Sequence, residues 1–262
     1  MLTLKVKHKD AVLAEISNQT DAQLLYEAEY KEGDSLYLEC DKTPCYIYLQ
    51  LEDTMPLCLV YLKNNKYELS VPFGEARSSY CAKSFTGTRQ YLRARMASEE
   101  EISAHRDLAL NPYDCHANTS VFPHAKANVE TRGEAVFAAR NAINGNTSNA
   151  GHGVWPYESW GIQRREDAEY IVDFGRTVEA DGIGITIRCD FPHDNYWHHA
   201  SIEFSDGSRE ILKLEKKSAT QYFAIANRNI TWAKLCEMKK DETDESPFPA
   251  LTAISVYGKS II

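Results

Sequence analysis

Residues 168–175 read Ala168-Glu169-Tyr170-Ile171-Val172-Asp173-Phe174-Gly175. From Glu169 to Phe174 the side chains alternate, and a glycine ends the run. A period of two is the signature of a half-buried strand. The same signature repeats downstream. Residues 182–188 alternate small and apolar side chains. Residues 200–204 end in Ser205-Asp206-Gly207-Ser208, a turn with Asp-Gly at its centre. Further apolar runs follow at 211–214, 221–225, 231–238 and 253–257. Strands this closely spaced, with turn signals between them, argue for a sandwich or jelly roll and against βαβ units. A short helical piece is expected over 134–143, and 241–246 reads as a solvated acidic loop. No internal repeat or low-complexity tract interrupts the pattern.

Working outward toward the N-terminus, residues 1–97 are also strand-like. Leu2, Leu4 and Val6 alternate with Thr3, Lys5 and Lys7, and Leu36, Leu38 and Cys40 with Tyr37 and Glu39. Residues 46–51 and 57–62 are apolar runs separated by Glu52-Asp53-Thr54-Met55-Pro56, which predicts a hairpin. Asn64-Asn65 is a turn pair, and 90–96 is a last strand. Over 98–110 the pattern changes. Ser98 and Glu101 form a capping box, Glu99 and Glu100 fill the favourable first turn, and Asn111-Pro112 stops the helix. The expected architecture is therefore all-β. Two β-sandwich domains, 1–97 and 117–262, are joined by a helical connector at 98–116.

At 262 residues the chain is long enough for one large domain or two ordinary ones. It is 43% hydrophobic and 26% charged, a globular composition. The net charge of −9 argues against nucleic acid and anionic membrane as partners. The seven cysteines form no C-x-x-C pair, so neither a zinc ribbon nor a disulfide framework is indicated. The opening MLTLKVKHKD has no apolar signal core, and no window approaches the length of a membrane span. The expectation is a reduced, cytoplasmic protein in which the sequons at Asn18, Asn118, Asn146 and Asn229 carry no sugar. Strong catalytic signatures are missing. Asp173-Phe174-Gly175 matches a kinase triplet but stands alone, and there is no phosphate loop, G-x-S-x-G, H-E-x-x-H or EF-hand loop.

Six segments, in order, resemble the discoidin family, also called the factor five/eight type C domain, which includes the family 32 carbohydrate-binding modules. Residues 138–145, AARNAING, are similar to that family's AIDG segment, and Trp155 stands where the family closes this loop with a Trp. Residues 168–175 and 182–188 resemble the next two strands; IEFSDG at 202–207 and AISVYG at 253–258 resemble its turn and its closing strand. The resemblance spans about 120 residues and leaves 1–116 uncovered. It implies a galactose-binding-like jelly roll whose loops at one end hold a ligand, in many members a galactose-type sugar on an aromatic platform. A sugar ring has an apolar face to stack and hydroxyls that need paired donors and acceptors.

Two loops have that composition. The first, 151–161, carries His152, Trp155, Tyr157, Glu158 and Trp160; the second, 191–199, carries His193, Asp194, Asn195, Tyr196, Trp197 and His198. Arg188 ends the strand before the second loop. These residues, other than Trp155, are the expected ligand set. Each has a plainer reading. Trp155 and Trp160 suit core plugs, a lone His suits packing, and Arg188 suits an ion pair with Asp190 or Asp194. Trp197 with His193 is the expected contact with ligand, and Trp155 the expected core residue. Many relatives hold calcium at the AIDG loop. Here Asn144 and Ala253 stand where the resemblance implies acidic residues, so at most a weak calcium-type site on the carbonyls around Ala142, Asn144 and Asn146 is expected, and no cofactor.

The expected function is non-catalytic binding of a neutral, galactose-type carbohydrate. An alternative is a carbohydrate-active enzyme with a metal or acid–base site built from His152, Glu158, His193, Asp194 and His198. A third reading is a protein-interaction module, a homodimer or a hetero-complex, with Tyr-rich strands at 25–30 and 46–61 as its face.

Overall fold

The computed structural model describes residues 1–188 and 195–261. The period-two pattern of the first residues does what it predicts: Leu2, Leu4 and Val6 are fully buried. Their strand, Leu2–His8, pairs antiparallel with Ala11–Asn18 on one side and Asp34–Cys40 on the other, and Lys66–Ser70 completes this four-stranded sheet. A second antiparallel sheet runs in the order Val121–Phe122, Cys58–Leu62, Cys45–Gln50, Gln90–Met96, Asp21–Tyr26. The expected hairpin is present, with Ile47 opposite Val60 and Leu49 opposite Cys58. Leu4 and Leu38 of the first sheet share one hydrophobic cluster with Ile47, Val60 and Leu92 of the second. The edge pair Val121–Phe122 lies opposite Leu62 and Tyr61, so chain beyond residue 117 completes a sheet begun by the first 97 residues.

The connector is less helical than its capping box implies. The box itself forms: Ser98 Oγ accepts from the Glu101 N–H, and the Glu101 carboxylate accepts from the Ser98 N–H. The helix Glu99–Ser103 then stops after five residues, because the chain beyond it is captured as sheet. Arg106 and Asp107 pair with Gly258 and Tyr257, and the Asp107 carboxylate accepts from the N–H groups of Ala109 and Val256. Leu108, inside the stretch expected to be helical, is buried in the C-terminal core.

Glu101 carries a pH prediction. The Arg95 guanidinium and then the Ser98 backbone N–H hold its carboxyl at about 2, against an ordinary 4.5. A depressed folded value means stability that is present above about 4.5 and is lost as pH falls toward about 2. The pair is well solvated, so Glu101→Gln is expected to cost only a cap-sized amount, about 0.5–1 kcal/mol at neutral pH. Denaturation midpoints of the two proteins should converge in strong acid; a difference that persisted there would show that the charge is not its source.

The third sheet has eight strands. Its main path is Trp160–Gly161, Ala250–Ser260, Tyr170–Arg188, Gln221–Lys240, Trp197–Phe204, Arg209–Lys213, with His124–Ala127 and Arg106–Asp107 as side partners. The runs 168–175 and 182–188 are two halves of one 19-residue strand, and 221–225 and 231–238 are halves of a 20-residue strand. The first long strand breaks register between Asp173 and Val178 and again between Ala180 and Gly182. Such bulges bend a strand. Both halves then bury side chains in one cluster, Val172 and Phe174 beside Ile183, Ile185 and Ile187. At the first break Gly175 has φ +66, and a Cβ there would lie 2.4 Å from the Phe122 ring, so only glycine fits. The helical piece expected at 134–143 is two 3-10 turns, Ala135–Phe137 and Ala139–Ile143.

The chain is therefore all-β, as the patterning predicts. Its two hydrophobic clusters are joined by polar contacts: Arg176 stacks on Tyr46 and Tyr61, the Ala135 N–H donates to Glu75, and the Trp155 N–H donates to the Ser78 carbonyl. No helix among the described residues is long and apolar enough to cross a membrane.

Candidate functional site

The loop 151–161 and the strand end at Arg188 meet beside the third sheet. Between them is a cavity of about 210 Å³. His152 and Arg188 line it, together with Arg132, Phe137, Arg164 and Phe248. Two short segments supply most of the wall. Gly161, Ile162, Gln163 and Arg164 follow directly from the edge strand Trp160–Gly161. Pro247, Phe248 and Pro249 precede the strand Ala250–Ser260, which pairs with that edge strand. Sheet pairing thus brings two stretches of chain together that are about 85 residues apart in sequence.

The wall is built under constraint. Arg188 is buried, and its Nη2 donates to the Phe248 carbonyl at 3.2 Å, tying the 247–249 segment to the strand end. The Arg164 guanidinium stacks on the Phe248 ring at 4.5 Å, and Arg132 lies 5.5 Å over Phe137. Phe248 remains 43% exposed, so a face or edge of its ring is open to a ligand. Arg132, Gln163 and Arg164 all have left-handed backbone, with φ of 54, 51 and 63. Among the described residues only six non-glycine positions have positive φ, and three of them are in this wall. Left-handed backbone at a residue with a Cβ is strained, and such strain gathers at ligand sites. A second cavity of about 330 Å³ adjoins the first across Ile162, Arg164, Pro247 and Pro249, and His198 and Lys239 line it.

The structure moves several expected ligand residues into the core. Trp197 is 1% exposed at the start of the strand Trp197–Phe204, and the little surface it keeps lines the second cavity. Trp160 is fully buried, donating Nε1–H to the Val129 carbonyl and packing on Tyr170. Trp155, expected in the core, is 42% exposed. Its N–H is held by Ser78, and its ring lines a small crevice with Tyr80 and Arg140. Tyr157 is exposed, its ring lying against Gly151. Tyr196 is partly buried against the C-terminal core.

Asn195 is fully buried and acts as a clamp. Its Nδ2 donates to the carbonyls of Asp241, Asp244 and Ser246, and its Oδ1 accepts from the N–H groups of Tyr196 and Asp241. That network orders the acidic loop read as merely solvated, and this loop leads into Phe248. His193 and Asp194 lie outside the described residues. Their expected roles, and an Arg188 pair with Asp190 or Asp194, have no structural description here.

Glu158 does not face the cavity either. It is 2% exposed, and its Oε1 accepts from Asn144 Nδ2 at 2.8 Å and Asn146 Nδ2 at 3.1 Å. The side-chain oxygens of these two asparagines accept the N–H groups of Asn146 and Ser148. The residues named for a calcium-type site therefore turn amide N–H donors toward the carboxylate, and Ala142 adds only a buried apolar side chain. Glu158 Oε2 accepts no hydrogen bond among the described residues, but one carboxylate oxygen falls far short of the six to eight oxygens calcium takes. The side chains of Asn144 and Asn146 are thus engaged with Glu158 and with their own loop, not turned outward as ligands. The described members of the expected enzyme set are dispersed: His152 lines the first cavity, His198 the second, and Glu158 neither. Among the described residues no three His, Cys, Asp or Glu side chains come together as a metal cluster.

Sequence reasoning missed Arg132, Phe137, Gln163, Arg164 and Phe248. The one usable signal was Pro247-Phe248-Pro249, an aromatic held between two prolines beside a polar loop.

No protein-family model matches the chain, and no curated protein matches it. Among solved structures it is similar to the family 32 carbohydrate-binding module of C. perfringens NanJ in complex with galactose, with 17% identity over 51% of this chain and 91% of that one, TM-score 0.39. It is similar to the lectin domain of lectinolysin complexed with Lewis B antigen, with 14% identity over 59% and 98%, TM-score 0.43. A third is chitosan-binding module 1 of a chitosanase/glucanase from Paenibacillus sp. IK-5, with 14% identity over 58% and 99%, TM-score 0.39.

Proposed function

We propose that the protein binds a carbohydrate in the cavity between Phe248, Phe137, His152, Arg164 and Arg188, with a galactose-type ring as the candidate ligand. The observation that carries this reading is the pairing of a half-exposed Phe248 ring with fixed polar side chains in one concave wall. An aromatic ring takes the apolar face of a sugar, while guanidinium and imidazole groups meet its hydroxyls. The two adjoining cavities together have the size of a small-ligand site. Binding without turnover suits the wall better than hydrolysis does, because Glu158 is turned toward Asn144 and Asn146.

A glycan array with the 262-residue chain, followed by calorimetry on the best hits, tests this. Phe248→Ala is expected to weaken the best ligand about tenfold, the equivalent of ~1.4 kcal/mol of lost stacking. Because the ring is half exposed, the variant should keep its melting temperature to within about 3 °C. A protein that bound no sugar on the array or in solution would refute the reading.

A further inference from the structure

We infer that Cys40 and Cys45 are a preformed dithiol pair, which closes to one disulfide and staples the first two sheets together. Their sulfurs lie 3.8 Å apart. No other pair of described cysteines makes such a contact. A disulfide needs about 2.05 Å. Rotation about the two Cα–Cβ bonds carries the sulfurs over that gap.

The fold brings the two thiols together. Cys40 ends the strand Asp34–Cys40 of the first sheet, and Cys45 begins Cys45–Gln50 of the second. Only Asp41, Lys42, Thr43 and Pro44 lie between them, so the chain crosses from sheet to sheet in one short turn. Both strand ends are fixed. Cys40 lies opposite Leu2 and its N–H donates to the Asn65 carbonyl, while Cys45 lies opposite Leu62. The turn is held as well: the Cys40 thiol donates to the Lys42 carbonyl at 3.3 Å, and the Asp41 N–H to the Met1 carbonyl. A bond here ties the end of one sheet to the start of the other at the rim of their shared cluster.

The oxidant is a small disulfide of the oxidised-glutathione class. Cys40 is 2% exposed and Cys45 is half-buried, so exchange begins at Cys45. Its thiolate attacks one sulfur of the oxidant, the oxidant S–S bond breaks, and one glutathione leaves and takes up the proton that Cys45 gave up. The Cys40 thiolate then attacks Cys45 Sγ. The Cys40–Cys45 bond forms, the mixed disulfide breaks, and the second glutathione leaves with the Cys40 proton. Two protein thiols together lose two electrons, and one oxidant disulfide gains them. Burial, and then the neighbouring Cys40, push the Cys45 thiol up to about 12. Thiolate is therefore scarce at neutral pH, and the bond is a slowly made one, not a rapid sensor.

The test is to incubate the reduced 262-residue chain with oxidised glutathione at about pH 8.5, alkylate the remaining thiols and digest with trypsin. Trypsin cuts after Lys42, so the two cysteines fall on separate peptides, 32–42 and 43–63, which stay joined only through a disulfide. The second peptide also holds Cys58, and fragmentation of the joined pair places the bond at Cys45 or Cys58 without any variant. The joined pair is expected in the parent and in Cys58→Ala, and lost in Cys45→Ser. Oxidation should raise the melting temperature of the parent by about 5 °C, reversibly with dithiothreitol, and leave folded Cys45→Ser unchanged. Glutathione left on Cys45 with no joined peptides, or a joined pair that survives Cys45→Ser, overturns the inference. A joined pair with no rise in melting temperature also overturns it, because a preformed pair closes without strain.

Discussion

Trp197→Ala is expected to lower stability by about 3–5 kcal/mol, and Trp155→Ala by under about 1 kcal/mol. The difference follows from burial. Trp197 is 1% exposed, opens an inner strand, and packs in the same cluster as Ile162, Ala200 and Met238. Truncating it leaves a cavity that close-packed neighbours can fill only in part. The Trp155 ring is 42% exposed, and what ties this residue to the rest of the chain is its backbone N–H to Ser78, which alanine keeps. Urea denaturation of the two variants would read the difference as a shift in midpoint at constant slope. Equal losses, or a larger one at Trp155, would contradict the placement of both rings. The discoidin resemblance implies the opposite order, since it gives Trp155 a structural place, and loop composition alone does not show where the strand at Trp197 begins.

Gly258→Ala should be as damaging, by about 3 kcal/mol or more, through backbone instead of packing. Gly258 sits on the closing strand, opposite Ala180 on one side and Arg106 on the other. A Cβ there would lie 2.0 Å from the Glu179 carbonyl oxygen and 2.9 Å from the Ala180 Cα. Neither atom belongs to a side chain that can swing away, so the closing strand would have to leave its partner. The expected result is a strongly lowered melting temperature, with hydrogen exchange speeding first at 178–182 and 256–260. Lys259→Ala next door removes only a solvated pair with Glu179 and should change stability by less than about 1 kcal/mol. If both variants melted together, close strand approach at Gly258 would not be what matters. This contact also gives a physical reason for the glycine that ends the AISVYG segment.

Much of the fold was legible because strands announce themselves locally. Alternation at Leu2, Leu4 and Val6 marks an inner face whatever the strand packs against. The 46–62 hairpin needed only two apolar runs and a turn, and the Ser98–Glu101 box needed only its own spacing. The places where reading failed share a cause. The connector lost its helix to a ladder with residues 257 and 258, a competitor about 150 positions away. Asn195 reads as a ligand residue by composition, yet its amide is consumed by three carbonyls of a loop some 50 residues on. Glu158 has the chemistry of a catalytic acid, and the asparagines of another loop claim it.

The candidate site divides in the same way. His152 and Arg188 were legible, since they lie in or beside a loop at a strand end, where sandwiches display ligands. Phe248, Arg164 and Arg132 were not, because their meaning depends on being neighbours, and nothing local marks them. A net charge of −9 is a sum over the whole chain and does not show that three arginines line one cavity. By itself the sequence determined that this is an all-β chain, where its inner strand faces lie, and which loops of the C-terminal sheet are polar and aromatic. Those are properties of spacing and turn chemistry, which act over a few residues. Only the tertiary structure decided which aromatics face solvent, which carboxylate is occupied and which side chains share a cavity wall. Those depend on strand register and on pairs brought together across more than 80 residues, where short-range pattern carries no information.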